Sequence, residues 1–349
     1  MREPSRAFLL GPLLKGVSRS FYLTLRVLPA RMRDPVGLAY LLARAADTIA
    51  DTALVAPESR LALLLSLRDQ VNGNTDGAAS ALRIATEMAH HQKHPDERIL
   101  LESLDPALAV LTQLEPADRQ AVRQIVSTLS EGMEFDLRTF PDERADRIVA
   151  LPDLAALDHY TYMVAGCVGE FWTHMTAVHV PGAINGDLGA MLRSGIRFGK
   201  ALQMTNVLRD CGKDLRIGRC YLPASLLEQH GLTPQDLLLP DASVRAHALM
   251  RSLAAMTLAH FQEAMAYTLA IPRRFVRLRL ACLWPILIGM ETLLLLVRNE
   301  HWLDPARASK MPRREVYRMV VSSLPMVWSN GLLRSCFARQ VRSIEAVIG

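Results

Sequence analysis

The stretch GLAYLLARAADTIAD, residues 37–51, indicates both the fold class and the chemistry of this chain. Its apolar residues recur at intervals of three and four, and alanine and leucine, which favour helices, make up most of it. Asp47 and Asp51 lie one helical turn apart within this pattern. Because a helix turns about 100° per residue, Tyr40 and Arg44 fall on the same polar stripe as the two aspartates. The stretch therefore predicts a helix with an acidic site on one face.

The helical pattern extends over most of the 349 residues. Half of the residues (50%) are apolar, alternating β-branched runs are scarce, and the breaks marked by glycine and proline are short. We therefore predict an all-α protein with a single domain over residues 1–349, in which roughly the first 14 residues and the C-terminal helices are peripheral. At RDPVGLAY, residues 33–40, Asp34 is predicted to cap a helix that begins at Pro35.

The charge and the cysteine content of the chain limit the partners and the cellular compartment that we expect for it. Lys and Arg number 40 against 35 Asp and Glu, and this excess of +5 is scattered, so nucleic acid is not indicated as a partner. The five cysteines lack metal-ligand spacing, which is typical of a reducing compartment, and we expect a cytoplasmic protein without an obligate protein partner. The apolar run from Leu280 to Val297 contains Pro285 and Glu291, which favours a buried helix over a membrane span.

A second stretch, LQMTNVLRDCGKD at residues 202–214, repeats the acidic arrangement with Asp210 and Asp214. Gln203 and Asn206 share their stripe. Two carboxylates one turn apart repel each other unless a cation compensates, and Mg²⁺ suits them because it prefers oxygen ligands and also binds phosphate oxygens. A solvated helix face is the alternative for either pair alone. The presence of the same arrangement on two helices favours a metal site.

Two glycines mark a further helix. Gly166 and Gly169 lie in YTYMVAGCVGEFW, residues 160–172, and each costs about 1 kcal/mol relative to alanine inside a helix. Their small size creates space. The sequence leaves open whether that space serves the close packing of two helices or a substrate channel.

Four motifs in this order and spacing resemble those of the squalene and phytoene synthases, and most closely those of the squalene synthases. They are SRSFYLTLRVLP at residues 18–29, ARAADTIAD at 43–51, YTYMVAGCVGEFW at 160–172, and NVLRDCGKDLRIGRCYLP at 206–223. The resemblance extends from about Lys15 to about Arg318. It implies a helical bundle around a central cavity, and an enzyme of the farnesyl-diphosphate farnesyltransferase type that joins two prenyl diphosphates head to head with Mg²⁺.

The resemblance also implies roles for individual residues. Catalysis would depend on Tyr160, which would face the reacting carbons, and on the four aspartates. The magnesium ligands would be Asp47, Asp51, Asn206, Asp210 and Asp214. The diphosphate groups would be bound by Ser18, Arg19, Ser20, Arg44, Gln203, Asn206, Arg209 and Arg219. The reaction passes through an allylic cation, which requires a dry cavity with aromatic faces because water would trap it.

The product is the least constrained prediction. We expect two farnesyl diphosphates to form presqualene diphosphate, which NADPH would reduce to squalene. The segment SKMPRREVYRMV, residues 309–320, resembles a basic stretch of squalene synthases, in which Lys310, Arg313 and Arg314 would meet the cofactor phosphate. The alternatives are a phytoene, dehydrosqualene or presqualene diphosphate synthase that uses no reductant, and a non-enzymatic helical scaffold, against which the four aspartates argue.

A membrane surface is a further expected partner. Long prenyl chains partition into lipid, so we expect peripheral contact with the inner face of the membrane. The basic residues predicted to touch anionic headgroups are Arg273, Arg274, Arg277 and Arg279.

Overall fold

The computed structural model describes residues 4–18, 21–74, 77–140 and 146–349, which are mostly helical and contain very little strand. The all-α prediction is confirmed. The chain divides into two compact units, one formed by Met1–Pro141 with Val178–Val180 and the other by Asp142–Ala177 with Pro181–Gly349. The single-domain prediction, with its peripheral N-terminal and C-terminal segments, stays a prediction. Leu9 and Leu13 of the N-terminal segment are buried.

The first unit consists of helices joined by short turns. Its α-helices are α1 Arg6–Phe8, α2 Leu14–Ser18, α3 Tyr22–Arg26, α4 Ala30–Ala50, α5 Pro57–Asn72, α6 Gly77–Met88, α7 Pro95–Glu102, α8 Leu104–Thr112 and α9 Pro116–Thr139. A π-helical segment, Leu9–Leu13, and a 3₁₀ turn, Ala89–His91, connect some of them.

The core of the first unit forms where α4 packs against α9 and α5. Leu38, Leu41 and Ile49 of α4 and Val122 and Val126 of α9 are fully buried. Burial of each such aliphatic side chain is worth about 1.5–3 kcal/mol. This contact fixes the rotation of α4 about its axis, and so the direction in which its polar stripe projects.

The helix that carries Asp47 begins earlier than the sequence predicts. It starts at Ala30, and Pro35 lies inside it, where its missing N–H removes one backbone hydrogen bond. The prediction that Asp34 caps this helix is wrong. Its carboxylate instead accepts a hydrogen bond from Arg6 Nη2 at 2.7 Å, and this partner lies 28 residues away in the sequence.

The second unit contains the remaining helices and two short strands. The strands are β1 Val149–Ala150 and β2 Arg219–Cys220. The α-helices are α10 Leu154–Thr161, α11 Cys167–His179, α12 Leu188–Leu215, α13 Ala224–Gln229, α14 Ala242–Arg245, α15 His247–Ala270, α16 Val276–Val297, α17 Arg313–Ser323 and α18 Asn330–Ile348. Shorter helical turns are the π-helical Tyr162–Gly166 and the 3₁₀ segments Gln235–Leu238, Pro305–Arg307 and Met326–Trp328.

Helix α12 packs against α15, α16 and the π-helical turn that precedes α11. A Cβ atom at Gly169 would lie 1.8 Å from the carbonyl oxygen of Gly195, and one at Gly199 would lie 2.0 Å from that of Ala165. Any side chain would therefore collide with backbone. Close helix packing, one of the two roles that the sequence leaves open, accounts for Gly169.

Helix α16 is the apolar run that the sequence predicts to be buried. Among the described residues, it alone is long and apolar enough to cross a membrane by length and composition. However, 78% of its apolar window is buried inside the protein. This burial supports the prediction of a core helix.

Candidate active site

The first acidic cluster lies at the C-terminal end of α4. Asp47 is in its last turn, and Asp51 follows the helix directly, with its backbone N–H donating to the Asp47 carbonyl at 2.9 Å. Arg44 forms an ion pair with Asp47 through Nη1, while its Nη2 donates to Glu97 Oε1 of α7 at 2.5 Å. The Arg44 guanidinium is thus shared between two carboxylates. Its Nε atom is buried and, in the described chain, has no hydrogen-bond partner.

The electrostatics of Asp47 reflect this crowding. Its side chain keeps 38% of its surface exposed, and the Arg44 guanidinium joins its carboxylate to that of Glu97. Burial and the neighbouring Asp51 carboxylate raise the pKa of Asp47 to about 6, against the attraction of Arg44, which lowers it. Glu97 adds to the increase. The end of α4 therefore carries more negative charge than one arginine neutralises.

The second acidic cluster lies at the C-terminal end of α12. Arg209 donates to both oxygens of Asp210, with Nε to Oδ1 at 3.0 Å and Nη2 to Oδ2. The Arg209 and Asp210 side chains are 26% and 31% exposed. One turn earlier, Asn206 Nδ2 donates to Gln203 Oε1 at 3.3 Å. Asp214, half-buried, lies in the last turn of α12.

Both clusters lie at the C-terminal end of a helix, which the spacing of the aspartates alone does not predict. Each places two aspartates at the C-terminal end of a long helix, where the unpaired backbone carbonyls carry about half a negative charge. A carboxylate is disfavoured at this position, and a cation is favoured. The helix end and the two carboxylates therefore add to one negative potential in each cluster.

The donor chemistry of both clusters fits Mg²⁺. Within the described ranges, no group of three or more His, Cys, Asp or Glu side chains converges as a complete metal site. Mg²⁺ does not require one, because it typically takes one or two protein carboxylates and fills its other positions with water and phosphate oxygens. Pairs of carboxylates with arginines beside them match that pattern.

The other residues assigned to diphosphate binding differ in their surroundings. Ser18 is buried, and its hydroxyl donates to the Leu14 carbonyl at 2.5 Å, so it serves its own helix. Arg219 is buried in β2, where it pairs with Val149 of β1 in parallel register. Arg19 and Ser20 lie outside the described residues.

Tyr160 has an aromatic neighbour that the sequence does not reveal. It is buried near the end of α10, and its ring stacks on Tyr221, with centroids 4.7 Å apart and an angle of 23° between the planes. Tyr221 follows β2 directly and stands in the last of the four motifs. The motif identifies Tyr221 as an aromatic residue, but it does not predict that Tyr221 stacks on Tyr160.

The basic segment assigned to the cofactor lies on the surface. Lys310 precedes α17, and Arg313 and Arg314 form its first turn, all three with exposed side chains. Arg314 is 91% exposed and has Glu315 at 3.7 Å. Three exposed cations within five residues fit an anionic phosphate.

A family comparison agrees with this geometry. The sequence model of the family described as squalene/phytoene synthase matches residues 14–315, a span that includes both acidic clusters. The chain belongs to the squalene/phytoene synthase family. The family prediction is thereby confirmed, as is the prediction of a prenyltransferase at the level of the family. The roles of individual residues stay predictions.

Individual members of the squalene/phytoene synthase family show moderate similarity. The bifunctional lycopene cyclase/phytoene synthase of Colletotrichum graminicola is 30% identical over 248 residues, which are 71% of this chain and 39% of the fungal protein. This chain thus spans about two-fifths of the length of that relative. The presqualene diphosphate synthase of Rhodopseudomonas palustris is 31% identical over 262 residues, which are 75% of this chain and 78% of that protein.

A solved structure supports the family fold. The complex described as TcSQS with the ligand E5700 superimposes with a TM-score of 0.72, covering 99% of this chain and 100% of that one. The two sequences are 19% identical, so the likeness concerns the fold.

Proposed function

We propose that this protein condenses two farnesyl diphosphates head to head, through presqualene diphosphate, with Mg²⁺ held by Asp47, Asp51, Asp210 and Asp214. One observation carries the proposal. Each of two helices ends in a pair of aspartates with an arginine bound to the first of them, as in Arg44 beside Asp47. Acid, amide and guanidinium groups together suit a metal diphosphate, since they bind both the cation and the anion.

The departure of diphosphate is the step that these residues assist. When bound, Mg²⁺ neutralises the charge that builds on the leaving oxygens. Arg44 and Arg209 supply further N–H donors, and a guanidinium can hold two phosphate oxygens at once. Glu97 holds Arg44 at the end of α4 through the 2.5 Å contact. Asn206 and Gln203 add neutral polar groups beside Asp210.

Loss of diphosphate leaves an allylic cation on the first farnesyl chain. This carbon bonds to the double bond of the second chain, and loss of a proton closes the cyclopropane ring of presqualene diphosphate. The stacked rings of Tyr160 and Tyr221 supply buried aromatic surface, which stabilises a nearby cation and excludes water. No nucleophilic side chain is needed.

We extend the proposal to the second half of the reaction, in which presqualene diphosphate loses its diphosphate group and the resulting carbocation accepts a hydride to give squalene. When bound, NADPH supplies the hydride. Lys310, Arg313 and Arg314 would hold its phosphate, and their exposure and mutual proximity support this assignment.

A second candidate function ends at the intermediate. The relative from Rhodopseudomonas palustris is a presqualene diphosphate synthase, and this chain matches 78% of its length. This similarity favours release of presqualene diphosphate without reduction.

Incubation of the purified protein with farnesyl diphosphate and Mg²⁺, with and without NADPH, distinguishes these functions by mass spectrometry of the products. Squalene formed only with NADPH supports the full reaction. Presqualene diphosphate in both samples supports the second candidate. Phytoene from geranylgeranyl diphosphate, without a product from farnesyl diphosphate, would contradict both and support a phytoene synthase. If neither substrate is turned over, so that the sample with Mg²⁺ is no more active than an EDTA-treated control, the result would support the scaffold.

A further inference from the structure

Large apolar side chains are exposed on α17, on the 3₁₀ turn that follows it and on the first turn of α18. Tyr317, Val321, Leu324, Trp328 and Leu332 are 62%, 65%, 44%, 58% and 53% exposed. We refer to these five residues as the apolar strip. Contiguous exposed apolar surface is uncommon on soluble proteins and marks contact with a partner or a membrane.

The strip faces away from the rest of its unit. At 100° per residue, Val321 and Leu324 lie about 40° and 20° from Tyr317 around α17. The opposite face of α17, including Glu315 and Met319, lines a cavity of about 540 Å³ together with residues of α16 and α18. The inner face of α17 is therefore turned toward the protein, and Tyr317 and Val321 lie on its outer face.

Positive charge flanks the strip. Arg313 and Arg314 lie about 40° and 60° to either side of Tyr317 around the helix. Arg314 and Arg318 are 91% and 79% exposed, and the anion that pairs with both is Glu315. Residues 310–318 contain four basic side chains and one acidic side chain, a net charge of +3.

Of the four basic residues predicted to contact headgroups, Arg279 is used inside the fold, whereas Arg273, Arg274 and Arg277 are exposed. Arg279 is fully buried, where it donates to the Ile271 carbonyl at 3.1 Å and to Asn330 Oδ1 at 2.6 Å. Arg274 donates to the Gly182 carbonyl at 3.2 Å. The prediction that Arg279 touches headgroups is wrong, because its guanidinium is needed to satisfy buried carbonyl groups.

We propose that the apolar strip and its basic flank dock this protein on the surface of an anionic lipid bilayer. Trp and Tyr side chains prefer the boundary between acyl chains and headgroups, which suits Trp328 and Tyr317. Leu324, Val321 and Leu332 would enter the outermost acyl region, while the arginines beside them would meet lipid phosphates. A neutral protein partner would leave the net charge of +3 on residues 310–318 without an anionic counterpart. The inference does not depend on the proposed condensation, but Arg313 and Arg314 are also the residues proposed to hold the NADPH phosphate, so lipid and NADPH would compete for them.

Vesicle co-sedimentation tests the proposal, with vesicles of phosphatidylcholine alone and of phosphatidylcholine mixed with phosphatidylglycerol. We expect binding to the mixed vesicles at low salt, and weaker binding at high salt because ions screen the arginines. The double variant Val321→Ser/Trp328→Ser should bind at least about tenfold more weakly. Val244→Ser is the matched control, since Val244 is 75% exposed but lies near Asp236 and Asp241. It should bind like the parent protein.

Two further readouts keep the test decisive. Trp328 is 58% exposed, whereas Trp284 and Trp302 are buried, so mixed vesicles should shift the tryptophan emission to shorter wavelength, and Trp328→Phe should reduce that shift. Circular dichroism checks that each variant is folded. Equal binding to both kinds of vesicle, unchanged binding of the folded double variant, or self-association through the strip seen by light scattering would overturn the proposal.

Discussion

The two acidic clusters hold their arginines in different ways. At the end of α4, Arg44 is shared between Asp47 of its own helix and Glu97 of α7. At the end of α12, Arg209 directs two N–H groups at the single carboxylate of Asp210, its immediate neighbour. The first arrangement depends on a residue from another helix, whereas the second is made within one turn.

Because of this difference, we expect the two clusters to be sensitive to different substitutions. The α4 cluster can be altered through Glu97 without a change to either aspartate. The α12 cluster instead depends on the position of the helix itself, which is set by glycine contacts with the segment Ala165–Gly169.

The largest expected effect comes from removal of one charge in either cluster. Asp47→Asn and Asp210→Asn should each lower turnover by about 10³-fold, because each removes a metal ligand and a preorganised charge. Steady-state kinetics with farnesyl diphosphate and Mg²⁺ measures the loss. Helicity by circular dichroism should stay unchanged, since both side chains are partly exposed. If one variant kept full activity, the clusters would not serve the same chemistry.

The second prediction concerns the two helices that carry the aspartates. Gly199→Ala in α12 should destabilise the protein by about 3 kcal/mol or more, because the new methyl group would lie 2.0 Å from a backbone carbonyl oxygen. Gly37→Ala in α4 is the matched variant. Its methyl group would meet the flexible end of Leu14 at 3.1 Å, so the change in the free energy of unfolding should stay within about 1 kcal/mol. Urea denaturation measures both, and equal effects would contradict the contrast.

The sequence predicts those features that depend on local order. Helical periodicity gives the all-α class, and the spacing of Asp47 and Asp51 gives the acidic end of α4. The same reasoning gives Asp210 and Asp214 on α12. These predictions need only the geometry of one helix.

Features that depend on distant residues were not predictable. Glu97 lies 53 residues from Arg44, and no local pattern marks it as the second partner of that arginine. Tyr221 stacks on Tyr160 across a similar separation. Arg279 looks like part of a basic surface segment, yet its guanidinium turns inward to Ile271 and Asn330. In each case the tertiary packing, and not the local pattern, decides the environment.

The third prediction uses Glu97 to weaken the α4 cluster alone. In Glu97→Gln, Arg44 loses one of its two charged partners and is held less firmly for the substrate diphosphate. We expect the KM for farnesyl diphosphate to rise about 5–10-fold with a smaller change in kcat, since binding is affected more than the chemical step. Glu97→Asp should restore part of the loss.

A matched control for Glu97 lies on the same helix. Glu102→Gln removes a surface ion pair with Arg98, in which the Glu102 side chain is 40% exposed, and should leave KM unchanged. An equal rise in KM for both variants would show a general effect on α7 and contradict the positioning role of Glu97.

The smallest expected effect is a pH dependence that belongs to the α4 cluster. In the folded, metal-free protein the pKa of Asp47 is raised from 3.8 to about 6, chiefly by burial and by Asp51. The folded state therefore binds more protons than the unfolded state between these pH values, and stability from this group falls as pH rises through the window. The free energy of unfolding of the parent protein, relative to Asp47→Asn, should decrease from about pH 4 to about pH 6 and then level off.

Titrating groups distant from Asp47 cancel in this comparison, because they are common to both proteins, and the amide that replaces the Asp47 carboxyl stays neutral at every pH. Glu97→Gln removes a negative charge that helps to raise the pKa of Asp47, so it should move the upper end of the window to lower pH. An opposite slope, with the parent protein gaining stability relative to Asp47→Asn as pH rises, would mean that the attraction of Arg44 exceeds burial and the repulsion from Asp51. Arg44 would then neutralise the α4 cluster as completely as in a simple surface ion pair, and the cluster would carry no excess negative charge.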